Sequence, residues 1–113
     1  MATANLYCAR LRLEGLQAHP ARNGIEALAI LKTHHVSLVM TDLVMPAMDG
    51  YRLIQEIRQL PPPMGKLPIL LISSSHNEHD MIRCFSAGAD DYITKPFSFP
   101  VVLERMRRLL DRR

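Results

Sequence analysis

The stretch VMTDLVMPAMDG, residues 39–50, takes an apolar run directly into a carboxylate, Asp42, and then into a loop that contains proline and glycine. The run it completes, VSLVMT over residues 36–41, is short, β-branched and apolar, which is typical of a strand buried on both faces of a parallel sheet. Asp49 can cap a following helix, GYRLIQEIRQL. The prolines at 61–63 end that helix, because proline lacks the backbone N–H and clashes with the preceding turn. The stretch therefore predicts a strand, a loop and a helix, with Asp42 where the strand ends.

Upstream of this stretch, the pattern predicts two helices and a short extended piece. Residues 3–14, TANLYCARLRLE, have apolar residues at helical spacing and stop at Gly15, a plausible helix C-terminus. LQAHPA, residues 16–21, is the extended piece. Asn23-Gly24 then opens the helix IEALAILKTHH, whose isoleucine and leucines share one face.

Downstream, two more strands and two more helices alternate. ILLIS over residues 69–73 and DYIT over residues 91–94 are the strands. The helix between them follows SSSHNEHD and is closed by Gly88, and Ser98 can cap the last helix. Short apolar strands separated by helices predict an α/β fold, a doubly wound parallel sheet with helices on both faces, and we expect one domain over residues 1–113.

A carboxylate, a hydroxyl and an ammonium stand at the ends of the three strands, on Asp42, Ser73 and Lys95. Ligand sites in open parallel sheets lie at the carboxyl ends of the strands, so these groups are expected to face one cleft. A carboxylate can accept a phosphoryl group as an acyl phosphate when cations offset the charge on the transferring oxygens. The set therefore indicates phosphoryl chemistry, with Lys95 and a divalent metal as the cations.

Composition excludes several classes of protein. The chain has 113 residues, 48% of them hydrophobic, and its apolar runs are far shorter than a membrane span needs. Cys8 and Cys84 lack metal-binding or redox spacing, so we expect reduced thiols in a cytoplasmic protein. The net charge of +3 is modest and Trp is absent, so direct nucleic-acid binding is not expected.

Three motifs in order, TDLVMPAMDG, PILLISSS and AGADDYITKPF, resemble the response-regulator receiver domain of two-component signalling. The resemblance implies a flavodoxin-like fold and makes Asp42 the phosphoacceptor. It also makes Ser73 and Lys95 the groups that contact the phosphoryl group, and Tyr92 the aromatic that changes rotamer on activation. The bond before Pro96 corresponds to one that is cis in the family. The partner that the resemblance implies is a histidine kinase or a phosphotransfer protein.

The resemblance also implies Mg²⁺, held by an acidic pair after a first strand, by the phosphoacceptor and by a backbone carbonyl. Residues 1–13 contain no acidic residue, so we expect the first, central strand to be missing or replaced. Mg²⁺ would then keep Asp42 and the Val44 carbonyl, and its affinity should be low. Asp90 and Asp91 precede Tyr92, at the far end of their strand, and we expect them to be solvated loop residues.

Two functions remain open from the sequence. The first is a phospho-accepting receiver that signals by conformational change and is not an enzyme. The alternative is a degenerate receiver that acts without phosphorylation as an interaction module. Loss of the central strand would leave an unpaired edge, which favours a homodimer or a segment-exchanged dimer of a truncated or degenerate receiver. With no further sequence after Arg113, we expect a stand-alone regulator or a piece of a larger protein.

HNEHD, residues 76–80, raises a separate possibility. Its two histidines, His76 and His79, could bind a metal on one helix face. Acidic residues in a polar first turn are more commonly there because they favour the positive end of the helix dipole, and we prefer that interpretation. The serines before His76 lack the G-x-S-x-G elbow of a serine hydrolase.

Overall fold

The computed structural model of the protein describes residues 15–44 and 48–111. The predicted helix over residues 3–14 lies outside these ranges. In chain order the structure contains α1 (Gly24–Thr33), β1 (Val39–Asp42), α2 (Gly50–Arg58), a 3-10 helix (Met64–Lys66), β2 (Ile69–Ser73), α3 (Glu78–Ala87), β3 (Asp91–Thr94) and α4 (Phe99–Asp111).

The three strands form a parallel sheet in the order β1-β2-β3. Asp42 is in register with Ile72, and Ser73 is in register with Thr94. The carboxyl ends of all three strands therefore meet at one edge of the sheet. The predicted α/β fold with a parallel sheet is confirmed.

Alternate residues of β2 belong to two separate cores, because successive side chains of a strand point to opposite faces. Ile69 and Leu71 pack with α1, α2 and α3. Leu70 and Ile72 pack with buried residues of α4, namely Val102, Met106 and Leu109. Helices cover both faces of the sheet, so every residue of β2 is buried, as its uninterrupted apolar sequence predicts.

Polar side chains fix where three of the helices begin. The side-chain oxygens of Asn23, Asp49 and Asn77 each accept a backbone N–H of the first turn, at 2.8, 2.8 and 2.7 Å. The predicted cap at Asp49 is confirmed. Gly88, with φ 122, ends α3 as predicted, in a backbone conformation that side chains rarely permit.

Some predicted boundaries differ from the structure. No strand is present over residues 16–21; Leu16 and Ala18 pack instead against the core that α4 covers. β1 begins at Val39 and not at residue 36, because the Val39 N–H donates to Pro68 at the start of the pairing with β2. Strand structure depends on such pairing, and apolar content alone does not supply it.

Arg58 joins several segments by hydrogen bonds at the amino-terminal edge of the sheet. Its guanidinium donates to the carbonyls of Gly88, Gly65 and Leu67 at 2.6 to 3.1 Å, and to Asp90 Oδ2 at 3.0 Å. The same Asp90 oxygen accepts the N–H of Ile69 at 2.8 Å. The arginine fork thus joins the loop after α2, the end of α3 and the start of β2.

The expectation that Asp90 and Asp91 are solvated loop residues was wrong. Asp90 belongs to the Arg58 network, and Asp91 forms an ion pair with Arg105 of α4 at 2.7 Å. Both aspartates do lie at the amino end of β3, away from the edge that carries Asp42. The sequence did not predict these pairings, because both arginines lie on other elements, far along the chain from the two aspartates.

No helix in residues 15–44 and 48–111 is both long enough and apolar enough to cross a membrane.

Candidate functional site

Asp42 and Lys95 meet at the carboxyl edge of the sheet. The Lys95 Nζ atom lies 3.0 Å from Asp42 Oδ1, and the two side chains are 34% and 19% exposed. Asp42 is the last residue of β1, and Lys95 comes directly after β3. The structure therefore brings together the carboxylate and the ammonium that the strand ends predict.

Asp42 Oδ1 is buried and has no directed hydrogen-bond donor among the described residues, although the Lys95 ammonium is 3.0 Å away. The short distance gives a Coulombic attraction, but the geometry is not that of a hydrogen bond. A buried carboxylate oxygen normally accepts several hydrogen bonds. This oxygen therefore has unused capacity to accept another group.

Ser73, at the end of β2, places a hydroxyl on the neighbouring strand. Its side chain is buried, and its Oγ accepts the N–H of Ser75 at 3.0 Å. Its carbonyl accepts the N–H of Lys95 at 2.7 Å, which ties together the loops that carry the hydroxyl and the ammonium. Because the Ser75 bond uses only an acceptor position of Ser73 Oγ, the hydroxyl proton remains able to donate.

Tyr92 is buried, and its hydroxyl donates to the Ser75 carbonyl at 3.1 Å. Its ring lies 6.5 Å from that of Phe85 on α3. The aromatic that the resemblance selects is thus linked to Ser73 through one residue, Ser75.

Ser75 is a site residue that sequence reasoning missed. Its hydroxyl donates to Asp80 at 2.8 Å and accepts the N–H of Asn77 at 3.2 Å, which joins the loop after β2 to the first turn of α3. His76, beside it, lies with Nε2 3.2 Å from the Lys95 carbonyl. A short polar residue two positions after a strand and two before a helix cap is a sequence signal for this role.

Gly50 sets how closely α2 approaches Asp42. The Gly50 N–H donates to the Leu43 carbonyl at 2.7 Å, and a Cβ at this position would overlap the Asp42 carbonyl oxygen. Only glycine permits this approach. The glycine that ends VMTDLVMPAMDG therefore lets the start of α2 lie directly against the backbone of Asp42. The Lys95–Pro96 bond is cis, the isomer that the resemblance implies.

A magnesium ion at Asp42 would have few protein ligands. No group of three or more His, Cys, Asp or Glu in the described ranges is placed to hold a metal. A cavity of about 480 Å³ beside β1 is lined by Asp42 and by no other acidic residue of those described. Mg²⁺ commonly uses one or two carboxylates and completes its shell with water and phosphate oxygens. The Asp42 carboxylate fits such a site as its one acidic ligand, since its Oδ1 has no hydrogen-bond partner among the described residues; the Val44 carbonyl stays a predicted ligand.

The model of the response regulator receiver domain matches residues 2–107. The chain belongs to this family. Among the curated relatives of the receiver domain, it is 40% identical to the probable transcriptional regulator ycf27 of Porphyridium aerugineum over 91% of this chain and 41% of that protein. It is 33% identical to RpaA of Synechocystis sp., a DNA-binding dual master transcriptional regulator, over 98% of this chain and 46% of that one. It thus spans less than half the length of these two relatives.

Solved receiver structures share the fold. The receiver domain of a signal transduction histidine kinase from Syntrophus aciditrophicus matches with a TM-score of 0.87 and 33% identity, over 97% of this chain and 83% of that one. The receiver of sensor histidine kinase PA1611 from Pseudomonas aeruginosa matches with a TM-score of 0.83 and 26% identity, over 95% and 87%. That neighbour has a magnesium ion coordinated in its active-site cleft. The flavodoxin-like receiver fold is confirmed.

The match to RpaA also bears on the partners expected for this receiver. RpaA is a DNA-binding regulator, so the expectation of no direct nucleic-acid contact receives no support from this relative.

Proposed function

We propose that this receiver accepts a phosphoryl group on Asp42 from a phosphohistidine of a histidine kinase or phosphotransfer protein, and that it signals through the resulting change of shape. The observation that carries the proposal is the buried, incompletely bonded Oδ1 of Asp42, with the Lys95 ammonium 3.0 Å away. Ser73 on the adjacent strand supports it by supplying a hydroxyl whose proton is available.

In the proposed reaction, a carboxylate oxygen of Asp42 attacks the phosphorus of the donor. The P–N bond of the phosphohistidine breaks, its electron pair stays on the imidazole nitrogen, and solvent protonates that nitrogen as needed. An acyl phosphate results on Asp42. A bound Mg²⁺ would offset negative charge on the transferring oxygens.

Two side chains of the site serve this step directly. Lys95 offsets the charge of Asp42 before transfer and of the phosphoryl oxygens after it. The Ser73 hydroxyl donates a hydrogen bond to a phosphoryl oxygen. These roles require no proton transfer from protein groups, only positioning and charge.

Ser75 would couple phosphorylation of Asp42 to a conformational change. If Ser73 moves towards a phosphoryl group, the Ser75 N–H loses its acceptor, while Ser75 also holds Tyr92 and Asp80. Phosphorylation would then shift the population of the loop and of the start of α3. The neighbouring surface exposes Ile82, Phe85 and Val101, apolar side chains suited to a protein partner or a second copy.

The direct test is intact-mass measurement after incubation with acetyl phosphate and Mg²⁺. We expect one phosphoryl adduct, absent in Asp42→Asn and without Mg²⁺, and a lower yield in Lys95→Met. A folded wild-type chain that forms no adduct, with acetyl phosphate or with a phosphorylated kinase, would overturn the proposal and favour the phosphorylation-independent interaction module.

A further inference from the structure

We propose that His19 and His34 form a surface site for one divalent transition-metal ion of the copper, nickel or zinc class. The two residues are exposed and come from different parts of the chain: His19 precedes α1, and His34 is its C-cap. Their ring centroids lie 4.6 Å apart, with the planes inclined by 47°. This pair lies outside the phosphoryl site and does not depend on its function.

Thr33 determines which nitrogen of His34 faces outwards. The Thr33 hydroxyl proton is committed to backbone carbonyls, to Ala29 at 3.0 Å and Ile30 at 3.4 Å. Thr33 Oγ1 also lies 2.9 Å from His34 Nδ1, so this ring nitrogen is engaged in a hydrogen bond in either tautomer of His34. Nε2 is therefore the ring nitrogen left to face a metal, and the ring is held by a second partner as in established metal sites.

The distance between the rings suits shared coordination. With a metal–nitrogen bond of about 2.0–2.1 Å, the ion lies about 3.2 Å from each ring centroid, so two ligands at ~90° would place the centroids ~4.5 Å apart. The observed 4.6 Å is close to that separation. The geometry favours Ni²⁺ or Cu²⁺ in square or octahedral coordination, and Zn²⁺ after a small opening of the pair.

The position of His34 at a helix C-terminus favours a bound cation, and its imidazole ligand disfavours a hard cation such as Mg²⁺. His34 lies at the C-terminus of α1, where backbone carbonyls carry partial negative charge. Imidazole is a poor ligand for Mg²⁺, which prefers oxygen. The ion proposed here and a magnesium ion at Asp42 would therefore not compete.

Binding would join residue 19 to the end of α1. Since the unfolded chain does not hold the two rings together, an ion that binds them stabilises the folded state by mass action. We therefore expect Ni²⁺ or Zn²⁺ to raise the melting temperature, with the effect fading at acid pH, where protons compete for the ring nitrogens.

The test is calorimetric titration of the full chain with NiCl₂ and with ZnCl₂ near neutral pH. Cys8→Ser is the background, so that this thiol cannot compete for the ion. We expect one ion per chain, at least a ~10-fold loss of affinity in both His19→Asn and His34→Asn, and a loss of about 10-fold in Thr33→Val, which removes the partner of His34 Nδ1.

His35→Asn is the matched control, because it removes an adjacent imidazole and should leave the affinity unchanged. All variants are compared by circular dichroism to verify folding. Absence of binding up to ~1 mM ion, or retention of full affinity in His19→Asn or His34→Asn, would overturn the proposal. Retention of full affinity in Thr33→Val would overturn the assignment of Nε2 as the ligand.

Discussion

The two edges of the sheet each hold an ion pair at the same distance, 3.0 Å, yet the pairs differ in everything around them. At the amino-terminal edge, Arg58 serves three backbone carbonyls as well as Asp90, and Asp90 also accepts a backbone N–H. At the carboxyl-terminal edge, Asp42 keeps a buried oxygen that receives no directed donor from the residues that the structure describes.

The contrast separates an ion pair whose groups are satisfied by several partners from one whose carboxylate keeps an unused acceptor. A guanidinium has five donors in a fixed plane, so Arg58 can satisfy several acceptors and hold three segments together. An ammonium on a flexible stem, like that of Lys95, gives charge without fixed direction. The first arrangement stabilises the fold, and the second leaves a carboxylate free to gain a new partner.

The largest effect on stability should come from removing Arg58 at the amino-terminal edge of the sheet. Arg58→Met removes the guanidinium donor of three carbonyls and the ion-pair partner of Asp90, so we expect a loss of about 3 kcal/mol in the free energy of unfolding. Urea titration measures it. Arg52→Met, which removes an exposed pair with Glu56, is the control and should lose less than ~0.5 kcal/mol. A loss below ~1 kcal/mol in Arg58→Met would contradict the structural role.

A methyl group at Gly50 should destabilise the carboxyl edge by about 2 kcal/mol, because backbone must move away from the Asp42 carbonyl. Gly15→Ala is the comparison: its φ of 82 adds strain, roughly 1 kcal/mol, but a Cβ there meets no atom within 4 Å among residues 15–44 and 48–111. Thermal and urea unfolding of both variants measure the difference. Equal losses would show that steric contact at Asp42 is unimportant.

The ion pair of Asp42 and Lys95 should contribute little to stability. Because Lys95 is about one-third exposed, we expect a coupling of at most ~1 kcal/mol between Asp42→Asn and Lys95→Met in a double-mutant cycle. The same cycle on Arg58→Met and Asp90→Asn should give a larger coupling. If the Asp42–Lys95 coupling were the larger of the two, the distinction between the edges would fail.

The smallest effect concerns Cys84, which lies in the core between the two edges. Burial raises the pKa of its thiol, so the folded state favours the neutral form. A raised pKa gives a stabilising contribution that is present at neutral pH and is lost as pH rises through the folded value. We expect the stability of wild type to fall slightly faster than that of Cys84→Ala between about pH 8 and about pH 10. If the free energies of unfolding of the two proteins changed in parallel with pH, this expectation would be contradicted.

The sequence alone determined the alternation of helices and strands, the parallel sheet and the position of Asp42, Ser73 and Lys95 at strand ends. These features depend on local patterns, since apolar periodicity reports burial and polar residues mark where strands stop. The three motifs around these residues also identified the family. The extended piece predicted over residues 16–21 forms no strand in the structure, because strand structure depends on pairing with a neighbouring strand.

Only the tertiary structure decided which polar side chains meet. Sequence spacing raised a metal pair of His76 and His79 but favoured a polar first turn of a helix, and in the structure His76 contacts the Lys95 carbonyl. The rings of His19 and His34, which the sequence did not relate, have centroids 4.6 Å apart. Asp90 and Asp91 found arginines on other elements, and Ser75 linked Ser73 to Tyr92. Contacts between distant residues depend on how whole elements pack. The periodicity of one segment does not specify which other segments it packs against.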